Sequence, residues 1–301
     1  MKVLITGATG LIGKAIVKQC HKKGVLVHYL TTSKHKLSQE ENYKGFYWNP
    51  SENEIDNACF DGVDAIINLA GATISKRWTS SYKKEILQSR IQTLQLLKHS
   101  LGTIEHNVEH IISASAIGVY PDSLTNYYEE TATETSSSFL GTVVEAWEHE
   151  VDNFKKINIK TTKVRIGLVL DEKEGALPQL AKPIKYGAGA AFGSGKQWQS
   201  WIHITDLARL FVYVQQQQLE GVYNAVAPNP VTNEDLTKAV ARTFNKPLWL
   251  PNIPKIFMRM VLGEMHILLF ESQRVSSKKI EEHGFHYKYS NLQPALEDLL
   301  G

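Results

Sequence analysis

At 301 residues, 43% hydrophobic and 21% charged, the chain can bury a full α/β core and still supply a second, smaller region. A net charge of +2 without a run of like charges speaks against nucleic acid or a membrane surface as its main partner. Cys20 and Cys59 are its only cysteines, too few for a disulfide framework, and none of its eleven histidines falls at metal-ligand spacing, so no metal is expected.

The first element is announced by MKVLITGATGLIGKAIV. Val3, Leu4 and Ile5 form a continuous apolar run, the pattern of a strand covered on both faces. Gly7, Gly10 and Gly13 follow at a spacing of three, and Leu11, Ile12, Ala15 and Ile16 then recur at helical intervals. In such a turn the first glycine lets the chain leave the strand sharply. The second keeps a Cβ away from an approaching diphosphate, and the third lets helix and strand come close. The helix start adds free N–H groups and a positive dipole end, so it holds phosphate without a basic side chain. Gly7, Thr9, Gly10, Leu11, Ile12 and Gly13 are the expected cradle of a dinucleotide.

Further along, residues 25–32 (VLVHYLTT), 45–49 (GFYWN) and 63–71 (VDAIINLAG) read as the second, third and fourth strands. A long helical pattern covers Ser80 to Leu101, residues 109–115 form a fifth strand, Phe139 to Lys156 a helix, and residues 160–170 (KTTKVRIGLVL) a sixth strand. This alternation predicts a doubly wound parallel (Rossmann) sheet over residues 1–170, with ligands at the carboxyl ends of its strands. From about Leu170 the rhythm changes, through the glycine-rich stretch 185–197, to mixed short elements holding most of the prolines. Residues 171–301 are expected to form a smaller C-terminal α/β substrate lobe interleaved with the sheet. The chain starts directly on a strand pattern and has no apolar stretch of about 18 residues, so neither a secretory leader nor a membrane span is expected. The expected location is cytoplasmic.

The end of the second strand selects the cofactor. A carboxylate there would accept the ribose hydroxyls of NAD, yet the residues are Thr32, Ser33 and Lys34, and Glu40 and Glu41 come too late. Hydroxyls followed by a cation suit a 2′-phosphate, which predicts NADP(H). The alternative for Lys34 is a solvated surface lysine.

These stretches resemble the extended short-chain dehydrogenase/reductase group of nucleotide-sugar epimerases and dehydratases. TGATGLIG is similar to its glycine motif, NLAG at 68–71 to the strand end that lines the cofactor, and ISASAIGVY to the strand carrying its catalytic hydroxyl, which falls on Ser115. GSGKQWQSWIHITDLA resembles the start of its substrate lobe. KRWT, SRIQT, WIHITDL, NAVAPNPVTN and LGE together look like an atypical subgroup, the "epimerase family protein" branch of the NAD-dependent epimerase/dehydratase superfamily. The resemblance implies cofactor contacts from Leu69, Ala70 and Gly71; Arg165 is a further candidate for the cofactor, and Trp201 and His203 are candidates for the substrate side. It also implies a tyrosine four residues before a lysine on the helix after the serine strand, where the lysine's charge lowers the tyrosine's pKa. Here those positions hold Phe139 and Val143, which can move no proton.

Replacement groups are sought nearby. Ser115 and Tyr120 are the catalytic candidates, with a structural hydrogen bond as the bland alternative for each. His203, as an imidazole, can serve as acid or base if it faces the nicotinamide, but its position in the resemblance points to a structural role. Arg77 and Trp78, next to Lys76, can hold an anionic substrate and wall it, unless Arg77 makes only a surface ion pair. Arg90 either binds the cofactor or pairs with a carboxylate. Two functions stay open. One is an NADP(H)-dependent oxidoreductase or epimerase acting on a small polar or sugar-like carbonyl or hydroxyl substrate. The other is a catalytically silent NADP(H)-binding sensor. Any oligomer is not legible.

Overall fold

In the computed structural model, which describes residues 1–301, Val3, Leu4 and Ile5 of β1 (Lys2–Thr6) are almost wholly removed from water. The apolar run thus occupies the middle of a sheet covered on both sides. Around it stand β2 (Leu26–Thr31), β3 (Tyr43–Asn49), β4 (Ala65–Asn68), β5 (His110–Ala116), β6 (Lys160–Ile166) and β7 (Gly221–Ala225). All are parallel, in the spatial order β3, β2, β1, β4, β5, β6, β7. Short antiparallel pieces at Gln39–Glu40 and Glu54–Ile55 pair with β3 and bring the sheet to nine strands. The strand order reverses at β1, so a crevice opens at the carboxyl ends of β1 and β4. This is the doubly wound α/β architecture that the alternation predicts.

Helices α1 (Leu11–Lys22) and α2 (Ser80–Leu101) follow β1 and β4, the strands at that crevice, and α3 (Phe139–Asp152) packs on α2, β5 and β6. Thr79 caps α2 by accepting from the Tyr82 N–H, and Ser138 caps α3 by accepting from Gly141 N–H. Val143, Trp147 and Val151 are buried along one face of α3. Each such side chain contributes roughly 1.5–3 kcal/mol by leaving water. Helix α3 is shorter than its pattern predicts. After Asp152 the chain tightens into a 3₁₀ turn at Asn153–Ile157 and ends on Asn158 in the left-handed region, φ 58°.

The predicted sixth strand divides in two. Lys160–Ile166 stays in the main sheet, whereas Leu168–Leu170 pairs in parallel with Trp201–His203 in a separate ribbon. Gly167 is the break: a Cβ there would run into the carbonyl oxygen of Ser200, so only glycine lets the two segments cross this closely. Beyond residue 170 the chain returns to the sheet through helix Ile204–Gln216 and β7. Leu207, Leu210, Phe211, Val214 and Tyr223 therefore belong to the main core. A second core gathers Leu177, Trp201, Leu236, Val240 and Leu296. No helix is long and apolar enough to cross a membrane.

Candidate nucleotide site and active-site cavity

The glycine turn sits at the switch in strand order. Gly7 turns off β1 at φ 71°, and Gly10 begins α1 with extended φ −81°, ψ 177°. No side chain caps α1 and its first turn holds no acid. The amides of Leu11, Ile12 and Gly13 thus lack an intrahelical partner, and the positive dipole end faces outward. A Cβ on Gly13 would stand 2.6 Å from Ala8 Cα, so helix and turn touch backbone to backbone. On Gly10 a Cβ would meet only Gly7 O, at 3.4 Å, and otherwise open space. These residues fit a bound diphosphate: of the three turn glycines, only Gly10 has no packing or backbone reason to be glycine, and it lies where phosphate oxygens would approach.

The facing segment is pinned by Thr6. Its hydroxyl donates to Asn68 Oδ1 at 2.8 Å and accepts the amides of Leu69 and Ala70, each at 3.0 Å. Asn68 in turn donates to Ser113 Oγ at 3.0 Å. Three central strands are thereby tied at their carboxyl ends, which fixes Leu69, Ala70 and Gly71 opposite the turn. At the end of β2, Thr32 and Lys34 are exposed, and Ser33 N–H donates to Thr31 Oγ1 at 3.2 Å. Lys34 Nζ lies 4.9 Å from the centre of the Tyr47 ring, and no acid stands at the strand end.

Beyond the crevice lies a cavity of about 230 Å³ at the ends of β5 and β6, lined by 19 residues of which 12 are hydrophobic. Ile117, Val143, Trp147, Leu168 and Trp198 belong to its apolar wall. Arg90 and Glu271 are the only lining side chains that carry charge. Arg90 reaches in from α2, donating to Ile86 O at 2.8 Å and Ala72 O at 3.2 Å, with its guanidinium 4.9 Å from the Trp147 ring centre. It takes no part in the ion pairs of the molecule, and burial lowers its pKa to about 10. An unneutralised guanidinium in such a place favours an anionic or strongly polar ligand. Gly71 lies directly against it: a Cβ there would stand 3.1 Å from Arg90 Cζ.

The structure does not bring Ser115 and Tyr120 to the cavity lining. Ser115 donates to Glu148 Oε1 at 2.6 Å, and Glu148 is clasped by Arg165 through Nε at 2.8 Å and Nη2 at 2.9 Å. Arg165 Nη1 donates to the Tyr120 hydroxyl at 3.0 Å, which donates to Asn224 Oδ1 at 2.8 Å. All five side chains are buried. Burial pushes the Tyr120 phenol upward, against easy proton release, although Arg165 and Asn224 counter it. Arg165 thus spends three nitrogens on protein partners.

Of the residues assigned to substrate, Trp78 is buried against Phe139, ring centres 5.2 Å apart, and donates to Ile74 O, while Arg77 is exposed beside it. Trp201 and His203 lie outside the cavity. Trp201 is fully buried and donates to Asn229 O at 2.9 Å. His203 caps the following helix through Nδ1, stacks on Tyr289 at 4.0 Å, and is lowered in pKa chiefly by burial. Trp198, three positions before Trp201, takes the place in the wall. Glu271 and Gln273, unmarked in the sequence reading, complete it from the far end of the chain. No cluster of residues suited to a metal ion is present.

Comparison with known proteins shows the family and the fold. The NAD dependent epimerase/dehydratase family matches residues 3–225, and a domain of unknown function, DUF1731, matches residues 253–299. The chain is similar to an epimerase family protein of Staphylococcus epidermidis, 36% identical with 99% of each chain covered. It is 35% identical to the epimerase family protein YfhF of Bacillus subtilis, over 100% of this chain and 98% of that one. Among solved structures, the human epimerase family protein SDR39U1 with NADPH superposes with a TM-score of 0.85 at 27% identity, covering 99% of both chains. With the glycine turn, the strand order and a match over most of its length, the chain belongs to the NAD dependent epimerase/dehydratase family.

Proposed function

We propose that this protein is an NADP(H)-dependent oxidoreductase or epimerase-like enzyme that acts on a carbonyl or hydroxyl group of a small molecule held in the Trp147 cavity. The observation that carries the reading is the pairing of two features at the carboxyl ends of the strands: an uncapped helix start over a glycine turn, and a small, partly open cavity at the ends of β5 and β6. In this reading Gly7, Thr9, Gly10, Leu11, Ile12 and Gly13 hold the diphosphate, and Leu69, Ala70 and Gly71 line the nucleotide. Thr32, Ser33 and Lys34 meet the 2′-phosphate, and Arg90 reaches the cofactor or substrate from α2. The human relative solved with NADPH supports NADP(H) over NAD(H). When bound, the dinucleotide supplies or withdraws a hydride, with both electrons of the redox step.

The chain's own residues do the rest. Trp147, Val143 and Ile117 exclude water, Arg90 orients a substrate oxygen, and the Glu148–Arg165 pair fixes the strand ends around Ser115. At about 230 Å³ the cavity suits a small molecule with few polar atoms. Cys20 and Cys59, both buried and unpaired, are compatible with a reducing cytoplasm. Phe139 and Val143 favour a second reading, a silent NADP(H)-binding sensor.

A screen separates the two. The protein is incubated with NADPH and a panel of aldehydes, ketones and nucleotide sugars, following NADPH absorbance, with Ser115→Ala alongside. The enzyme reading expects oxidation with small carbonyl compounds. Tight NADPH binding without turnover on any of them gives the sensor reading instead.

A further inference from the structure

Hydride chemistry at a carbonyl or hydroxyl group needs a partner that gives or takes one proton. The cavity offers few. Phe139 and Val143 are inert, and the Ser115 and Tyr120 hydroxyls are spent on Glu148 and Asn224, outside the lining. Ser200, which does line the cavity, donates to Gln273 O at 2.8 Å and accepts the Val275 amide at 2.9 Å. Arg90 keeps its proton, since its pKa of about 10 remains far above neutrality. The remaining lining group able to exchange a proton is the carboxyl of Glu271.

Glu271 follows the short helix Ile267–Phe270, whose Ile267 and Leu268 enter the same wall. Its Oε2 accepts from Gln273 Nε2 at 3.3 Å. Burial is the largest influence and pushes its pKa upward. Asp122 adds to the rise, while Gln273, Ser138 and Lys255 oppose it.

We infer that Glu271 is the proton-transfer residue of this cavity, an inference that rests on reading the site as a nicotinamide-dependent one. In the reducing direction the carboxylic O–H bond breaks and its proton forms a new O–H bond on the substrate oxygen. The electron pair stays behind on the carboxylate, and solvent at the cavity mouth restores the proton. Hydride and electrons are those the dinucleotide brings. In the oxidising direction the Glu271 carboxylate takes the hydroxyl proton.

An infrared titration of the carboxyl stretching band tests this without a known substrate. It is run on the full chain with NADPH, with NADP⁺, and on Glu271→Gln. The expected result is a protonated carboxyl band that survives above the usual range for glutamate and is missing from Glu271→Gln. Because the oxidised ring carries a positive charge and the reduced ring none, the midpoint should fall by about one pH unit with NADP⁺ relative to NADPH. Glu130, also raised by burial but outside the cavity, serves as the control whose band stays put. Equal midpoints with the two nucleotides, or a band unchanged in Glu271→Gln, overturn the inference while leaving the nucleotide site intact. If neither nucleotide quenches the protein's fluorescence, the inference falls together with the reading beneath it.

Discussion

Replacing Gly10 with alanine separates what the turn does for the fold from what it does for a ligand. Gly10 sits at φ −81°, ψ 177°, a region open to any residue, and the added methyl would meet only Gly7 O, at 3.4 Å. Alanine is a poorer helix cap than glycine but loses less chain entropy on folding, about 0.4–1 kcal/mol in its favour. The two effects offset each other, so unfolding free energy should change by no more than about 0.5 kcal/mol. The same methyl would occupy otherwise open space at the start of α1, where on this reading a diphosphate must approach the Leu11 and Ile12 amides to hydrogen-bond distance. Displacing it by about one ångström forfeits charge-assisted bonds worth roughly 1.5–3 kcal/mol each, so NADPH affinity should fall at least about tenfold. Urea unfolding gives the first quantity and calorimetric titration with NADPH the second. A Gly10→Ala protein that binds NADPH as tightly as the native chain would refute the placement of the diphosphate.

Gly13→Ala should behave in the opposite way. Its methyl would stand 2.6 Å from Ala8 Cα, so the urea midpoint should drop by an amount equivalent to about 2–3 kcal/mol, despite alanine's better helix propensity. Lys34→Glu sets a carboxylate where a 2′-phosphate is expected, and should weaken NADPH about tenfold in titrations while leaving NADH unchanged. Glu148→Gln leaves Arg165 buried without its counter-charge and should cost about 3–5 kcal/mol in urea unfolding, far more than Ser115→Ala at about 1 kcal/mol. His110 is held neutral by burial, with its pKa lowered to about 4. The unfolded chain therefore takes up the proton first, and stability is lost as pH falls from about 6.5 toward 4, by about 2 kcal/mol between pH 7 and pH 5. Replacing His110 with Gln should flatten that slope in urea titrations at the two pH values.

The parts of this fold legible in the sequence are those governed by near neighbours. Val3–Ile5, the glycines after them and the helical spacing of Leu11 to Ile16 obey local rules, and a doubly wound parallel sheet follows once crossovers alternate with strands. The division of the sixth strand was not legible, because Gly167 looks like any strand glycine until Ser200 approaches it from 33 positions away. Ser115 marks the same limit. As a residue type at a strand end it reads as a catalytic hydroxyl, yet its partner, Glu148, comes from the outer helix through a long-range contact. Trp198 and Trp201 are a third case. Both lie in one recognisable segment, but the local path of the chain sends one into the cavity wall and the other into the second core. Glu271 carried no signal at all. It lies in a short irregular stretch without period, and only tertiary folding sets it in an apolar wall where a lone carboxyl matters.

A crystal structure of the protein grown with NADPH bears most directly on the nucleotide site. The account predicts the diphosphate on the Leu11 and Ile12 amides, the 2′-phosphate beside Lys34, and the nicotinamide ring entering the cavity between Ile117, Trp147 and Glu271. A glycine turn left vacant in crystals saturated with NADPH, or a nucleotide bound at any other surface, would contradict it.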